Sequence, residues 1–475
     1  MKKLILVLIV TVSFILQDIP ANAQQGYNWF FGNLAAISFD TGTPVAFTGS
    51  AMNTIEGCAS ISDTTGNVLF YTDGSSVWNR NNVVMPNGSG LLGAFNSTQS
   101  GVIVPYPENH NLYYVFTVPD LMDPAGLRYS MVDMTLDGGN GDVTTQKNIP
   151  LLTPASEKIT AVVAANGIDM WVVTHDANDT FYTWKITTAG LESLPVKSAA
   201  GTSVGMNPEN CIGYLKVSPD GHHLAQAVWF SSYAEVLDFD NVTGIVSHPI
   251  TLINIPHAYG IEFSPKGDKL YVADNEIAPG SLWQFDLTVG SDSLISASRV
   301  LVGTTIPPLY FAALQVGPDR KIYVAIPNSG YLGSISNPDS AAALVSFNDS
   351  AVFLNGSICE YGLPTMVQSY FSVPAEGTND FSSANSFSLY PNPANDKLII
   401  THSSPLNGVR ELPFDNGQFT INAIAIYDVT GRIIYQEQAH SQLSIIHCQL
   451  FSSGIYFVQV YMNDGSVEVR KFVKE

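Results

Sequence analysis

The chain has 475 residues, 45% of them hydrophobic, and carries 41 acidic against 20 basic residues for a formal charge of −21. This length suits two or more domains with a sizeable core. An acidic surface repels phosphate backbones and anionic bilayers, so the composition argues against a protein that binds nucleic acid or a membrane surface.

The first residues have the pattern of a secretory signal peptide. Lys2 and Lys3 precede an apolar run from Leu4 to Leu16, and the triplet Ala21-Asn22-Ala23 follows it. A positive start, an apolar stretch of about 7–15 residues and an A-x-A site are the three parts of such a peptide. The run is shorter than the roughly 20 apolar residues that span a bilayer. We therefore predict a signal peptide over residues 1–23 and no transmembrane span.

The acidic charge lies almost entirely in the body of the chain. Residues 386–475 hold six Lys/Arg and eight Asp/Glu, so nearly all of the −21 belongs to residues 24–385. Solubility outside the cell accounts for such a charge, and calcium binding by carboxylate-rich loops is the alternative. Because no D-x-D-x-D-G loop with a distal Glu is present, we predict no cofactor and keep calcium as the alternative.

Four cysteines are spread along the chain without a C-x-x-C pair: Cys58, Cys211, Cys359 and Cys448. Their spacing excludes the usual zinc and thioredoxin patterns. An exported protein can form disulfides, and four cysteines allow three connectivities that the sequence does not choose between. The first three each lie near the start of a predicted strand, so a pairing among them is one hypothesis.

The body of the chain has the pattern of a repetitive all-β protein. Short runs rich in Val, Ile, Tyr, Phe and Trp alternate with turns such as Ser218-Pro219-Asp220-Gly221, and helical periodicity is nearly absent. The apolar strand that opens each repeat recurs at spacings of roughly 40 to 60 residues, which is typical of β-propeller blades. These strands begin near Ala59, Gly101, Thr160, Gly213, Gly260 and Ala312.

We predict a seven-bladed β-propeller over residues 24–374. Six blades are complete in the sequence. The seventh combines a strand that begins near Leu363 with N-terminal strands such as NWFFG, AISFD and PVAFT, so that both ends of the chain close the ring and no long edge remains. Six or eight blades, or a two-sheet sandwich, are the alternatives.

A small polar segment and a second module follow. Residues 375–388 have no apolar pattern and read as a linker. Residues 389–475 supply strands such as INAIAIYDVTGRIIYQEQ and SSGIYFVQVYM for a small C-terminal β-sandwich, and their number suits one independent module.

The second module contains YPNPA, IYD, SGIYF and KFVK in this order, with the positions Pro391, Asn392, Pro393, Asp428, Gly431, Gly454, Tyr456, Lys471 and Lys474. Through these motifs it resembles the type IX secretion C-terminal sorting domain (Por type) of Bacteroidetes. A longer polar connection over residues 401–420 and the pair His447-Cys448 depart from the family pattern. A carbohydrate-binding or fibronectin-like sandwich is the alternative.

The resemblance implies a route and a destination. The signal peptide would take the chain into the periplasm, and the sorting domain would engage the type IX secretion machinery to cross the outer membrane. The passenger would then be secreted or held at the outer-membrane surface. The body of the chain is similar, through segments such as EGCASISDTTGNVLFYTDG and CEYGLPTMVQSYF, to WD-like and YVTN-like surface propellers of Bacteroidetes, a resemblance that implies architecture and no reaction.

No catalytic pattern stands out. The sequence lacks G-x-S-x-G, H-E-x-x-H, the P-loop and sialidase-type boxes. Propellers bind ligands at one mouth of the central channel, where the residues that precede the inner strands converge. Those positions give a candidate ligand site of Glu56, Gln99, Lys158, Glu209, His257, Tyr259 and Tyr361.

Acids, a base and aromatics at one mouth fit two classes of function. They suit the binding of a protein, peptide or glycan. With raised carboxyl pKa values they would suit a hydrolase or lyase that acts on polysaccharide or a lactone. We predict the non-enzymatic binding protein, with the enzyme and a calcium-stiffened structural element as alternatives. The simpler alternative is that these are ordinary polar residues at strand ends, which form hydrogen bonds within the mouth and bind no ligand.

Overall fold

A computed structural model describes residues 21–203, 207–275, 278–373, 386–390, 394–403, 421–428, 432–441, 443–449, 451–462 and 467–474. The chain divides into two compact units, Met1–Val373 and Pro374–Glu475. Antiparallel β-strands make up nearly all of the regular secondary structure described in both units, which confirms the all-β class. The predicted signal peptide as far as Pro20, and most of the predicted linker, lie outside the described residues.

Seven antiparallel sheets follow one another along the described part of the first unit, each built from strands that are consecutive in the sequence. The strands of sheets 1 to 3 are β1 (Asn28–Phe31), β2 (Ala35–Ser38), β3 (Val45–Ala46); β4 (Ala59–Ser62), β5 (Val68–Thr72), β6 (Ser76–Asn79), β7 (Val84–Ser89); β8 (Gly101–Tyr106), β9 (Asn109–Thr117), β10 (Leu127–Asp133), β11 (Asp142–Val143) and β12 (Ile149–Leu152).

The strands of sheets 4 to 7 are β13 (Ile159–Val163), β14 (Met170–His175), β15 (Thr180–Thr187), β16 (Gly190–Leu191), β17 (Val196–Ala199); β18 (Leu215–Val217), β19 (His223–Val228), β20 (Tyr233–Asp240), β21 (Ile245–Ile253); β22 (Ala258–Phe263), β23 (Lys269–Asp274), β24 (Ser281–Asp286), β25 (Val300–Thr304); β26 (Leu314–Val316), β27 (Ile322–Val324), β28 (Tyr331–Ser336) and β29 (Ser346–Phe353). The described residues also form an α-helix, α1 (Asp292–Ala297), before β25, and 3₁₀ helices over Ala21–Gly26, Asp137–Gly139, Pro208–Cys211, Ala342–Leu344 and Gln368–Phe371.

The turns between first and second strands explain why the repeat is visible in the sequence. In sheet 5 the Ser218 hydroxyl accepts a hydrogen bond from the His223 backbone N–H at 2.9 Å, and Gly221 takes the positive φ of 76° that the turn requires. Ser264 and Gly267 do the same in sheet 6. Each turn therefore reverses the chain by local chemistry.

Burial falls from the first strand of a sheet to its last. Every residue of β4, β22 and β23 is buried, whereas β29 alternates between exposed and half-buried positions and buries only Val352. A strand covered on both faces needs a continuous apolar run, and a strand with one solvated face needs alternation. The apolar runs at regular spacing thus mark the first strands.

The seven sheets form a closed cycle. First strands of successive sheets contact one another from β1 through β26, and sheet 7 contacts sheet 1 through β29 and β3. The Trp29 ring packs edge-on against Tyr323 with centroids 5.5 Å apart, and Asn355 Nδ2 donates to the Ala46 carbonyl at 2.9 Å. The predicted N-terminal strands form sheet 1 by themselves.

Residues 361–373, which we call the axial segment, run between the first strands. Pro364 bridges Cys58 and Val367 bridges Ala161, both in parallel orientation. Further hydrogen bonds join the segment to sheets 4 to 7: Val163 N–H to the Ser369 hydroxyl, Leu363 N–H to the Tyr214 hydroxyl, Val373 N–H to the Pro265 carbonyl and Ala313 N–H to the Tyr361 carbonyl.

The axial segment differs from the strand predicted near Leu363. It joins no sheet, because its polar groups are shared among first strands of several sheets instead of pairing along one. Leu363, Met366, Val367 and Phe371 are buried. Gly362 permits the closest approach, since a Cβ there would lie 1.6 Å from the Glu56 carbonyl oxygen.

The second unit has two antiparallel sheets, in the orders β30-β31-β34 and β33-β32-β35-β36. Residues from both sheets share one core, including Leu398 and Ile446 of the first and Ile424, Val458 and Phe472 of the second. The strands are β30 (Ser386–Tyr390), β31 (Lys397–Ser403), β32 (Ile421–Asp428), β33 (Ile433–Ser441), β34 (Leu443–His447), β35 (Gly454–Met462) and β36 (Val467–Lys474).

The state of the cysteines differs from the disulfide pairing suggested by the sequence. Cys58, Cys211, Cys359 and Cys448 are all free thiols and all buried, so the suggested pairing among the first three is wrong. Cys58, Cys359 and Cys448 are part of packed hydrophobic cores, where cysteine behaves as a small apolar residue. In the part of the chain that the structure describes, no helix is long and apolar enough to cross a membrane.

The axial segment makes a stability prediction. Leu363 is 1% exposed and Leu344 is 70% exposed. We expect Leu363→Ala to lower the free energy of unfolding by about 2–5 kcal/mol, because it removes a buried side chain and leaves a cavity. Leu344→Ala should change it by less than about 0.5 kcal/mol. Denaturant unfolding of both variants measures the difference, and equal small effects would show that the segment does not hold the sheets together.

Candidate functional site

The connections at one end of the sheet cycle lie against each other, and we call this end the mouth. The Glu56 N–H donates to the Phe95 carbonyl, and Asn275 Nδ2 donates to the Phe311 carbonyl. The described residues of the mouth are 32–34, 47–58, 73–75, 90–100, 118–126, 153–158, 176–179, 200–203, 207–214, 229–232, 254–257, 275, 278–280, 305–313, 325–330 and 354–362.

A buried carboxylate under the mouth ties three connections together. Glu157 is 1% exposed, and one of its oxygens accepts from both the N–H and the hydroxyl of Thr98 at 2.7 Å. Its other oxygen accepts from the Leu121 N–H at 2.8 Å. Burial raises the pKa of Glu157, while these three hydrogen bonds oppose the rise. Both carboxylate oxygens of Glu157 therefore accept hydrogen bonds from other groups of the protein.

Gln99 joins the first strands of sheets 4 and 5. Its Nε2 donates to the carbonyls of Ile159 and Leu215 at 2.8 and 3.2 Å. Its Oε1 accepts from the N–H groups of the same two residues at 3.2 and 2.8 Å. The amide is completely buried and makes four hydrogen bonds, so no polar atom of Gln99 faces the solvent.

Lys158 caps three carbonyl oxygens. Its Nζ donates to Ile212, Gly213 and Ala227 at 2.9, 2.8 and 2.6 Å, and the side chain is completely buried. Burial lowers the pKa of this lysine to about 8, and the nearby Cys211 and Glu157 oppose that shift. An ammonium group has three N–H protons, so these three carbonyl oxygens use the full hydrogen-bonding capacity of Lys158.

A second buried network links the first strands of sheets 5, 6 and 7. Lys216 Nζ lies 3.0 Å from a Glu262 carboxylate oxygen and donates to Gln315 Oε1. Burial lowers the pKa of Lys216 and raises that of Glu262. The sequence signal for this network is a single polar residue inside each of the runs LKV, IEF and LQV, and sequence reasoning missed it.

An aromatic cluster brings together three of the predicted site residues. Tyr259 packs edge-on against Tyr361 and Tyr214, with centroids 6.3 and 5.6 Å away, and the Tyr361 hydroxyl lies 2.6 Å from that of Tyr310. Burial raises the pKa of Tyr259, and the negative charge of Glu56 raises it further. Glu56, Tyr259 and Tyr361 thus share one side of the mouth.

His257 lies at the rim beside residues that sequence reasoning missed. Its ring stacks on Trp229 with centroids 4.4 Å apart. Burial raises the pKa of Asp274 to about 6, and the rise is opposed by hydrogen bonds from Ser281 and, to a smaller extent, by the charge of His257. Trp229 follows a second strand and Asp274 ends one, and antiparallel strands return those positions to the mouth. Residues that precede first strands are therefore only part of the mouth.

The remaining predicted residue, Glu209, is exposed on the 3₁₀ helix Pro208–Cys211. The structure therefore separates the seven predicted site residues into three groups. Gln99 and Lys158 are buried and hydrogen-bonded inside the protein, Glu56, Tyr259 and Tyr361 cluster, and the other two are His257, which stacks on Trp229, and the exposed Glu209. Among the described residues, no group of three or more His, Cys, Asp or Glu side chains is arranged to hold a metal ion.

Several sorting-motif positions are structural in the second unit. Tyr456 is buried, stacks on Phe472 with centroids 5.5 Å apart and donates its hydroxyl to the Ser452 carbonyl. Asp428 accepts from the Arg432 backbone N–H and from its Nε, both at 3.1 Å. Gly454 begins β35, and Lys471 and Lys474 lie on β36. Pro391, Asn392, Pro393 and Gly431 lie outside the described residues.

Comparison with known proteins identifies the C-terminal unit. Residues 388–475 match the family described as the secretion system C-terminal sorting domain, which confirms the predicted resemblance. No curated protein sequence matches the chain.

Solved structures give more distant similarities. PorZ, a surface component of the type IX secretion system of Porphyromonas gingivalis, has 12% identity and a TM-score of 0.35 over 95% of this chain and 59% of its own. The periplasmic gluconolactonase PpgL of Pseudomonas aeruginosa has 14% identity and a TM-score of 0.38 over 79% and 97%. The Cps50 (Swd1) β-propeller domain of Myceliophteria thermophila has 12% identity and a TM-score of 0.39 over 63% and 93%.

The buried carboxyl of Asp274 should make the stability of the protein depend on pH. Its pKa in the folded state, about 6, lies above the value of about 3.9 for an unfolded Asp, so the folded chain binds this proton more tightly. Asp274 therefore lowers stability progressively as the pH rises from about 4 through 6. We expect Asp274→Asn to be more stable than the natural chain at about pH 7.5, by up to about 3 kcal/mol, and equally stable at about pH 4.

Thermal or denaturant unfolding at the two pH values measures this effect, with Asp40→Asn as the control because Asp40 is exposed. The control should show no such pH-dependent difference. A natural chain that is more stable than Asp274→Asn at the higher pH would contradict the prediction, since it would mean that the ionised carboxylate is stabilised in the fold.

Proposed function

We propose that this protein is exported to the cell surface or beyond, and that its first unit is a seven-bladed β-propeller that binds a ligand without catalysing a reaction. The sorting domain at residues 388–475 indicates export by a type IX secretion system. A signal peptide over residues 1–23 would deliver the chain to the periplasm first. In this proposal the linker, predicted over residues 375–388, ends before β30 begins at Ser386, and the second unit is a β-sandwich.

The seven-bladed architecture is proposed from the order of the strands. Seven sheets succeed one another in the described part of the first unit, the first strands are the most buried, and the last sheet contacts the first. A propeller places its first strands around the axis and hides its sheet edges by this cyclic packing. Sheets 1 to 7 would be the blades, with the axial segment along the axis.

The observation that carries the binding role is the axial segment. It bridges or hydrogen-bonds first strands and the residues beside them, so we assign the ligand to the mouth surface. The acids beneath that surface, Glu157 and Glu262, already accept several hydrogen bonds each. A ligand would contact the exposed and half-exposed side chains of the rim and the aromatic cluster: Glu56, Glu209, His257, Tyr310 and Tyr361.

One observation favours the enzymatic alternative, a hydrolase or lyase acting on polysaccharide or a lactone. Asp274 has a carboxyl pKa raised to about 6 and lies within electrostatic reach of His257, and a carboxyl that titrates near neutrality suits proton transfer. In that case Asp274→Asn would abolish turnover of a substrate that the natural chain hydrolyses or cleaves. The buried state of Asp274 favours the binding role instead.

The binding role is tested with the mature chain, residues 24–475, on glycan and peptide arrays. We expect a ligand to bind without being consumed, and Tyr361→Ala to weaken that binding about tenfold by removing an aromatic contact. Tyr106→Ala, at the opposite end of the cycle, is the control and should bind normally. Turnover of the bound compound, or equal loss in both variants, would contradict the proposal.

The export route is tested in a host that has a type IX system. A chain that ends at Phe387 lacks the whole sorting domain, and we expect it to accumulate in the periplasm while the full chain reaches the surface or the medium. The full chain should show the same periplasmic accumulation in a strain that lacks the secretion machinery. Surface display of the truncated chain would show that residues 388–475 are not the export signal.

A further inference from the structure

The mouth carries acidic groups and almost no basic ones. Its segments contain a single lysine, Lys158, and no arginine. That lysine is buried under three carbonyl oxygens and presents no charge to the solvent. By contrast, the carboxylates that are exposed or half-exposed at the mouth come from six positions: Glu56, Asp120, Asp123, Asp179, Glu209 and Glu360.

The opposite end of the cycle is different. Its connections are acidic as well, but they also contain basic residues: Arg80, Lys266, Arg299, Arg320 and Lys321. One of these side chains extends to the outer edge of the mouth, where the Arg299 guanidinium donates to the Asn254 carbonyl at 2.7 Å and lies over the Trp283 ring. A second guanidinium, that of half-exposed Arg128, donates to the Ala125 carbonyl at 2.8 Å. An extended cation approaching the mouth thus meets six carboxylates and two guanidinium groups, each of which is hydrogen-bonded to a mouth carbonyl.

Exposed aromatic side chains gather at the same end. Among the described residues, the exposed aromatic side chains are Phe95, Phe230, Tyr331 and Phe353, at 40–54% of their full exposure. The first two lie in mouth segments, and the other two flank segments 325–330 and 354–362. Aromatic faces attract ammonium and guanidinium groups, and aromatic side chains are enriched in protein interfaces.

The acids are distributed and not concentrated at one point. Glu56 precedes sheet 2, Asp120 and Asp123 lie in the connection between β9 and β10, Glu209 precedes sheet 5 and Glu360 follows sheet 7. A compact cation would reach one or two of these groups. An extended chain laid across the mouth would reach several and would also cover the exposed apolar side chains Ile55, Leu121 and Ile306.

We infer that the ligand of the mouth is a positively charged polypeptide segment, in which Lys or Arg side chains alternate with apolar ones. This inference rests on the proposed binding role and specifies its partner. The carboxylates supply the attraction and the exclusion of acidic partners, and the aromatic and aliphatic side chains supply the buried contact area. Neutral glycans would gain nothing from the charge.

Two double variants with the same change in charge test the inference. Glu209→Lys with Glu360→Lys reverses charge at the mouth, and Asp40→Lys with Glu192→Lys reverses it at the opposite end. All four side chains are exposed or half-exposed. The probes are a labelled peptide of alternating lysine and leucine, its glutamate–leucine counterpart and neutral dextran, each titrated into the mature chain by fluorescence anisotropy.

We expect the lysine–leucine peptide to bind the natural chain, to lose about tenfold in affinity with the mouth variant and to change less than about twofold with the other variant. Its affinity should also fall with added salt. Equal losses in the two variants would overturn the inference, because attraction would then follow total charge. Melting temperatures of both variants verify that they are folded.

The other outcomes separate this inference from the binding role. If dextran or the glutamate–leucine peptide binds, and Tyr361→Ala weakens it, while the lysine–leucine peptide does not bind, the mouth is a ligand site and the positively charged partner is wrong. If none of these probes binds and the arrays give no ligand, both the inference and the proposed binding role fail.

Discussion

The axial segment is the constraint on which the first unit depends. Residues 361–373 pair or hydrogen-bond with sheets 2, 4, 5, 6 and 7, so groups that are far apart in the sequence are held by one short piece of chain. Burial of its apolar side chains, at about 1.5–3 kcal/mol each as an upper estimate, is comparable to the whole stability of a typical domain. The sheets can therefore reach their final packing only once the chain is complete to this point.

Buried polar groups complement the axial segment by joining neighbouring first strands. Gln99 spans sheets 4 and 5, Lys158 reaches the connection into sheet 5, and Lys216 with Glu262 spans sheets 5 and 6. In a medium of low polarity an unpaired amide or charge is strongly unfavourable, so each of these groups fits one arrangement of its neighbours. Apolar packing alone would tolerate slippage between sheets. The polar contacts fix which strand lies beside which.

The same contacts explain what the sequence could and could not predict. Turns such as Ser218–Gly221 are local, so the repeats and the all-β class were readable from the chain alone. The axial segment has strand-like residues, but its partners Cys58, Ala161 and Tyr214 lie roughly 150 to 300 positions away, and no local pattern reveals them. The sequence predicted the position of the mouth from the residues that precede the first strand of each sheet. Whether a polar atom there faces inward, as in Gln99, or outward, as in Glu209, depends on neighbours in space.

The direction of the axial segment also separates the two functions that we assign to the chain, ligand binding at the mouth and export by the sorting domain. It begins at Tyr361 beside Ile55 of the mouth and ends at Val373, whose N–H donates to Pro265 in a turn at the opposite end. Every contact described above that closes the cycle is therefore made before the sorting domain begins at residue 388. A cut between these two points would separate the sorting domain from the first unit, and each of those contacts lies on the first-unit side of the cut. The described residues of the proposed ligand surface also lie before residue 374.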